Sequence, residues 1–195
     1  MSGASRSVPR QVFLFSGHMV DAPGRATPRF PADKVPQAAR RIAAALDAFA
    51  AGPPDLALAQ GASGGDILFL EACRARGVHI RLMLPFPEPE FIACSILPAS
   101  DGPRWRERYR AVRHTLAEPP TIMTDAPARD EDGRGPFERC NLWLLETALS
   151  WGVARLRFIC LWDGTAGDGP GGTAFMVDEV RRRGGHVTWI DTRTL

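Results

Sequence analysis

Six short apolar runs recur along this chain: Gln11–Ser16, Asp55–Gln60, His79–Leu84, Thr121–Thr124, Arg155–Trp162 and His186–Ile190. Between them stand stretches with helical spacing, over Gln37–Ala51, Asp66–Arg76, a short piece within 87–98, Pro103–Ala117, Pro136–Trp151 and Gly172–Arg183. Strands separated by helices of ten to fifteen residues are joined by crossovers rather than hairpins, so they run parallel. The reading is an α/β fold with a mainly parallel sheet and helices on both faces. No internal repeat or linker divides the 195 residues, so one domain is expected over 1–195. Residues 1–10 read as a disordered or extended tail, and 86–136 as an inserted helical and loop segment.

Composition removes several classes. A 45% apolar, 24% charged chain is neither collagen nor coiled coil nor wholesale disorder. No run of uncharged apolar residues is long enough to cross a membrane, and MSGASRSVPR holds no signal-peptide core, so a cytoplasmic protein is expected. The net charge of +2 gives no call for nucleic acid or an anionic surface. Cys73, Cys94, Cys140 and Cys160 form no C-x-x-C pair and read as buried thiols. The four His are scattered, so no metal is expected.

Chemistry in an open α/β sheet gathers beyond the carboxyl ends of the strands. Three such ends carry polar or glycine-rich loops: Ser16-Gly17-His18, Gly61-Ala62-Ser63-Gly64-Gly65-Asp66, and Asp163 through Gly171-Gly172-Thr173. The second and third run straight into helices. Glycine lets a ligand approach the main chain, and unpaired first-turn amides at the positive end of a helix favour an anion. Ser63 and Thr173 would add hydroxyls, and His18 and Asp163 would stand beside the ligand. Asp66 lies in a first helical turn, where the dipole favours a carboxylate with or without a ligand. Neither turn is a G-K-[ST] phosphate loop or a G-x-G-x-x-G fingerprint, and no cofactor is expected. The helix RWRERYRAVRH carries Trp105, Tyr109 and Val112 as one apolar stripe, so its arginines fall on solvated sides and it reads as a covering helix.

These turns resemble a family. GASGGDILFLEACRARGVHIRLMLPF is similar to the first signature of the Rossmann-like Lonely Guy and DNA-processing-protein superfamily, called SLOG: a glycine turn at Gly61–Gly65, then Glu71, Gly77 and Pro85. GDGPGGTAFMVDEV, Gly167 to Val180, resembles its PGGxGTxxE turn. The segments Gly65–Ala72, Leu84–Pro87, Trp105, Trp162–Gly164 and Gly171–Ala174 look closer to an accessory domain of bacterial signalling proteins, including those with nucleotide cyclase modules.

The resemblance implies a nucleotide or nucleotide-derived ligand with its phosphate on Gly172-Thr173, and a homodimer among the forms such a fold takes. Lonely Guy enzymes cleave the N-glycosidic bond of a nucleoside monophosphate with a Glu in that turn and a nearby Arg, for which Arg139 is the loose counterpart here. The position of the Glu is Met176 in this chain. An acid would then have to come from His18, Asp66 or Asp178. Three functions therefore compete: a sensor or accessory signalling module, a nucleoside 5′-monophosphate N-glycohydrolase or related transferase, and a nucleic-acid-binding protein. The near-neutral charge argues against the third, and the missing Glu favours the first.

Overall fold

The computed structural model describes residues 8–123, 133–166 and 171–195. It contains β1 (Val12–Gly17), α1 (Val35–Ala48), β2 (Leu56–Ala59), α2 (Gly65–Ala75), β3 (His79–Leu84), α3 (Glu88–Ser95), α4 (Gly102–Arg113), β4 (Thr121–Ile122), α5 (Pro136–Leu149), β5 (Leu156–Trp162), α6 (Thr173–Arg182) and β6 (Val187–Asp191). The β-type runs become strands within about a residue at each end. The exception is the fourth, of which Thr121 and Ile122 pair with β3 at the sheet edge, while Thr124 lies outside the described residues. Most of the irregular stretch 125–136 lies outside the described residues. So does the body of the loop before Gly171.

All six strands are parallel, in the order β4-β3-β2-β1-β5-β6. The protein is a single-sheet α/β, Rossmann-like fold. Alternation along β1 explains the layers. Phe13 and Phe15 point to one face, where Ile42 and Leu46 of α1, Ile67 and Leu70 of α2 and Trp105 and Tyr109 of α4 close over them. Val12 and Leu14 point to the other, under Leu144 and Leu145 of α5 and Met176 and Val177 of α6. Because both faces are covered, the central strands are apolar throughout rather than alternating with polar residues. Phe15 stacks on Phe69 with ring centroids 4.8 Å apart, fixing α2 against β1.

The chain builds outward from β1 to β4, then returns to the other flank of β1 for β5 and β6. Connections leaving β1 and β5 therefore diverge, opening a crevice at their carboxyl ends. At the opposite end Arg10, assigned from sequence to the tail, is held by Asp55 through bonds of 3.0 and 2.6 Å. No helix among the described residues is long and apolar enough to cross a membrane.

Candidate functional site

That crevice is a cleft of about 540 Å³, within the range of small-ligand sites. Ser16, Gly17 and His18 line it from the end of β1, Ala62 from the turn before α2, Asp66 from the first turn of α2, and Gly171, Gly172 and Thr173 from the start of α6. Both glycine turns thus lie on one rim of the sheet and border one space. Arg25 and Arg29 line the same cleft from the segment between β1 and α1.

The turn at α6 is the more open of the two. Gly172 caps the helix in extended backbone (φ −77°, ψ −170°), and no side chain among the described residues caps the first turn. Thr173 Oγ1 lies 3.1 Å from Ser16 Oγ, bringing two hydroxyls together at the helix start. Gly171 has φ +82°, and a Cβ there would stand 2.7 Å from Glu138 Cα, so this glycine serves close packing against α5. Its carbonyl accepts a hydrogen bond from Asn141 Nδ2. Asn141 Oδ1 in turn accepts from Gln60 Nε2 at 2.7 Å. Gln60 and Asn141 both line the cleft, and the sequence reading named neither.

The turn before α2 differs from expectation. Its amides are already engaged: Gly61 and Ala62 donate to Asp66 Oδ2 at 3.0 and 3.3 Å, Ser63 to the Ser95 carbonyl at 2.9 Å, and Gly65 to the His18 carbonyl at 3.0 Å. Asp66 thus occupies the place where an anion would sit. Gly64, at φ +92°, is needed because a Cβ there would meet Val20 N at 2.7 Å and His18 O at 2.8 Å. Ser63 Oγ is buried without a hydrogen-bond partner among the described residues and is outside the cleft lining, so it is no ligand donor.

Burial pushes the Asp66 carboxyl up to about 6, against the turn amides, which favour its charge. A folded-state value above the unfolded one means stability that is full below about pH 4 and lost as pH rises through 6, on the order of 3 kcal/mol. Buried His18, lowered by desolvation and then by Arg29, works in the opposite sense over a neighbouring range. The comparison with Asp66→Asn isolates the first group. In denaturant titrations the variant is expected to be the more stable protein at pH 7 and to lose most of that advantage by pH 4. A gap independent of pH would contradict the assignment.

His18 and Asp163 meet as the sequence suggests, but as a structural pair. The Asp163 amide donates to His18 Nε2 at 3.1 Å, a bond made by the neutral ring with its proton on Nδ1, and Asp163 Oδ1 lies 3.1 Å from the same nitrogen, placed to pair with the ring when it is protonated. Asp163 Oδ2 accepts from Arg29 Nε at 3.0 Å, while Oδ1 accepts from the Thr165 amide and hydroxyl at 3.0 and 2.8 Å. Burial would raise the Asp163 carboxyl, but Arg29, Thr165 and His18 together hold it well below the usual carboxylate range. Asp163 does not itself line the cleft; it holds two residues that do.

Other candidates fall elsewhere. Asp178 is exposed on α6 and does not line the cleft, because Met176 and Val177 give α6 its inward face. Glu71 pairs with Arg108 of α4 through bonds of 2.8 and 2.5 Å, away from the cleft lining. Arg139 is half-buried on α5 and outside the lining. Trp105, Tyr109 and Val112 are buried, so α4 is the covering helix its stripe implies. Cys73, Cys140 and Cys160 are buried, and desolvation pushes the last two thiols up to about 12. Cys94 departs from expectation: it is exposed and lines the cleft.

No protein-family model matches the chain, and no curated protein matches it. Among solved structures it is similar to the Moco Carrier Protein from Chlamydomonas reinhardtii, at 15% identity over 94% of this chain and 91% of that one, with a TM-score of 0.38. A likeness of that size carries no argument about function. What the cleft does is read from its own chemistry.

Proposed function

We propose that the cleft binds a nucleotide or nucleotide-derived small molecule, with its phosphate at the start of α6, and that the protein acts as a sensor or accessory signalling module. The supporting observation is the α6 turn. Its helix start has no side-chain cap among the described residues, carries the Thr173 and Ser16 hydroxyls, and shares a ligand-sized cleft with Arg25 and Arg29. The turn before α2, with Asp66 on its amides, suits the uncharged part of the same ligand. With α4 held down by its buried aromatics, nothing here favours a nucleic-acid groove.

Thermal-shift assays against nucleoside monophosphates, cyclic nucleotides and ADP-ribose derivatives test this. At a concentration 100 times Kd, a binder adds about 2.7 kcal/mol, or roughly 5–10 °C for a domain of this size. A flat response across the panel would contradict the reading.

One observation favours a second reading. Asp66, raised to about 6, and neutral His18 line one cleft, and opposed titratable groups of this kind suit acid–base chemistry. An N-glycohydrolase would release free base from a nucleoside monophosphate and stop doing so in a folded Asp66→Asn protein. Asp178 has no part in that reaction.

A further inference from the structure

Three cleft residues have one end of a polar side chain tied down and the other open. Gln60, His18 and Asp66 are only 8%, 9% and 7% exposed, and all three line the cleft. Their ties fix the polarity of what they present. The Gly171 carbonyl can only accept, so Asn141 turns its amide NH₂ toward it and its oxygen toward Gln60. Gln60 must then donate through Nε2, which leaves Oε1 as an acceptor. It has no hydrogen bond among the described residues and is not sealed from solvent, so it opens on the cleft.

The same logic applies to the other two. His18 Nε2 is tied to Asp163, accepting its amide in the neutral ring and lying 3.1 Å from Oδ1 for the protonated one, and in both of these states Nδ1 carries a proton and is a donor. Asp66 receives the Gly61 and Ala62 amides on Oδ2, with the Gln60 amide also acting on the carboxylate, and neither the Gly61 nor the Ala62 bond uses Oδ1. Neither His18 Nδ1 nor Asp66 Oδ1 is among the sealed, unpartnered atoms. The cleft therefore presents two acceptors and one donor from rigid, largely buried residues.

The geometry points to a specificity pocket for a ligand group that donates two hydrogen bonds and accepts one, held by Asp66 Oδ1, Gln60 Oε1 and His18 Nδ1. This rests on the reading that the cleft takes a phosphate-bearing ligand at α6, and it adds what the rest of that ligand must be. Two chemistries fit. Vicinal hydroxyls of a sugar donate to the two acceptors and accept from His18. The edge of a guanine-type base offers two N–H donors beside a carbonyl. An adenine edge, which pairs one amino group with ring acceptors, leaves Asp66 or Gln60 unmatched.

Isothermal titration with ribose 5-phosphate, 2-deoxyribose 5-phosphate, guanosine 5′-monophosphate, inosine 5′-monophosphate and inorganic phosphate separates these. If hydroxyls fill the pocket, 2-deoxyribose 5-phosphate binds at least about tenfold more weakly than ribose 5-phosphate, while the guanine and hypoxanthine nucleotides bind alike. If a base edge fills it, inosine 5′-monophosphate binds at least about tenfold more weakly than guanosine 5′-monophosphate, and removal of the hydroxyl has no effect. Phosphate compounds that bind without either difference would overturn the inference and leave the nucleotide reading standing. If none binds, it is that reading that fails.

Asp66→Asn supplies the independent arm. With its oxygen kept by the Gly61 and Ala62 amides, the new NH₂ faces the cleft and turns an acceptor into a donor. Affinity for the preferred compound is expected to fall roughly 100-fold, while inorganic phosphate binds as before. Retained affinity for that compound in a folded variant would also overturn the inference.

Discussion

Gly172→Val is expected to cut affinity for a phosphate-bearing ligand by about 100-fold or more and to leave the protein folded. The backbone at Gly172 is extended, so a side chain brings no left-handed strain, and the change at a helix cap should cost about 1 kcal/mol or less. Yet Gly172 lines the cleft, and a branched side chain there stands between an incoming anion and the first-turn amides of α6. Gly171→Ala is the informative control. At φ +82°, with the Glu138 backbone 2.7 Å from the added carbon, it should be destabilising as well as defective in binding. Thermal melts paired with titration calorimetry separate the two effects. Gly172→Val that binds as the wild type does would remove the α6 turn from the site.

Asp163→Ala should produce the largest loss of stability near the cleft, about 3 kcal/mol or more, because it removes a buried carboxylate to which Arg29 and the Thr165 turn are bonded. Asp163 and Arg29 are only 10% and 14% exposed at the side chain, so solvent cannot replace the lost bond cheaply. The same change releases His18, Arg29 and the Thr165 turn, so the wall between β1 and α1 should loosen. The pH signature is specific. A carboxyl held below its unfolded value contributes stability that is complete above about pH 4 and is lost only as pH falls further. The gap between wild type and Asp163→Ala measured by urea denaturation is therefore expected to be constant from pH 7 to 8, where both Asp163 and His18 keep one charge state, and to narrow below pH 4. A gap that opens only above pH 6 would contradict the assignment.

The architecture was legible because apolar period and helix length are local. Strand runs and helical stretches in the described residues carry their own pattern, down to the Trp105–Tyr109–Val112 stripe of α4, with the two exposed residues of β4 the exception. The site was legible only in outline. Strand-end glycines named the right rim, but not which amides would be free. Asp66 reaches back to Gly61 and Ala62, a short-range contact to which a carboxylate a few residues after a glycine turn could have pointed. Gln60 and Asn141 had no comparable signal. They are 81 residues apart in sequence and meet only because α5 packs on β1, β2 and β3. Arg29 was hidden in the same way, in a Pro- and Gly-rich stretch whose partner, Asp163, is 134 residues away.

The most direct test of the central claim, that an anion is held at the start of α6, is a ¹H–¹⁵N titration of the protein with a nucleoside monophosphate. The account predicts that the Gly172, Thr173 and Ala174 amides shift downfield in saturable fashion, while the Gly61 and Ala62 amides, already bonded to Asp66, move little. Saturable shifts centred on Gly61 and Ala62 with α6 unmoved would contradict it.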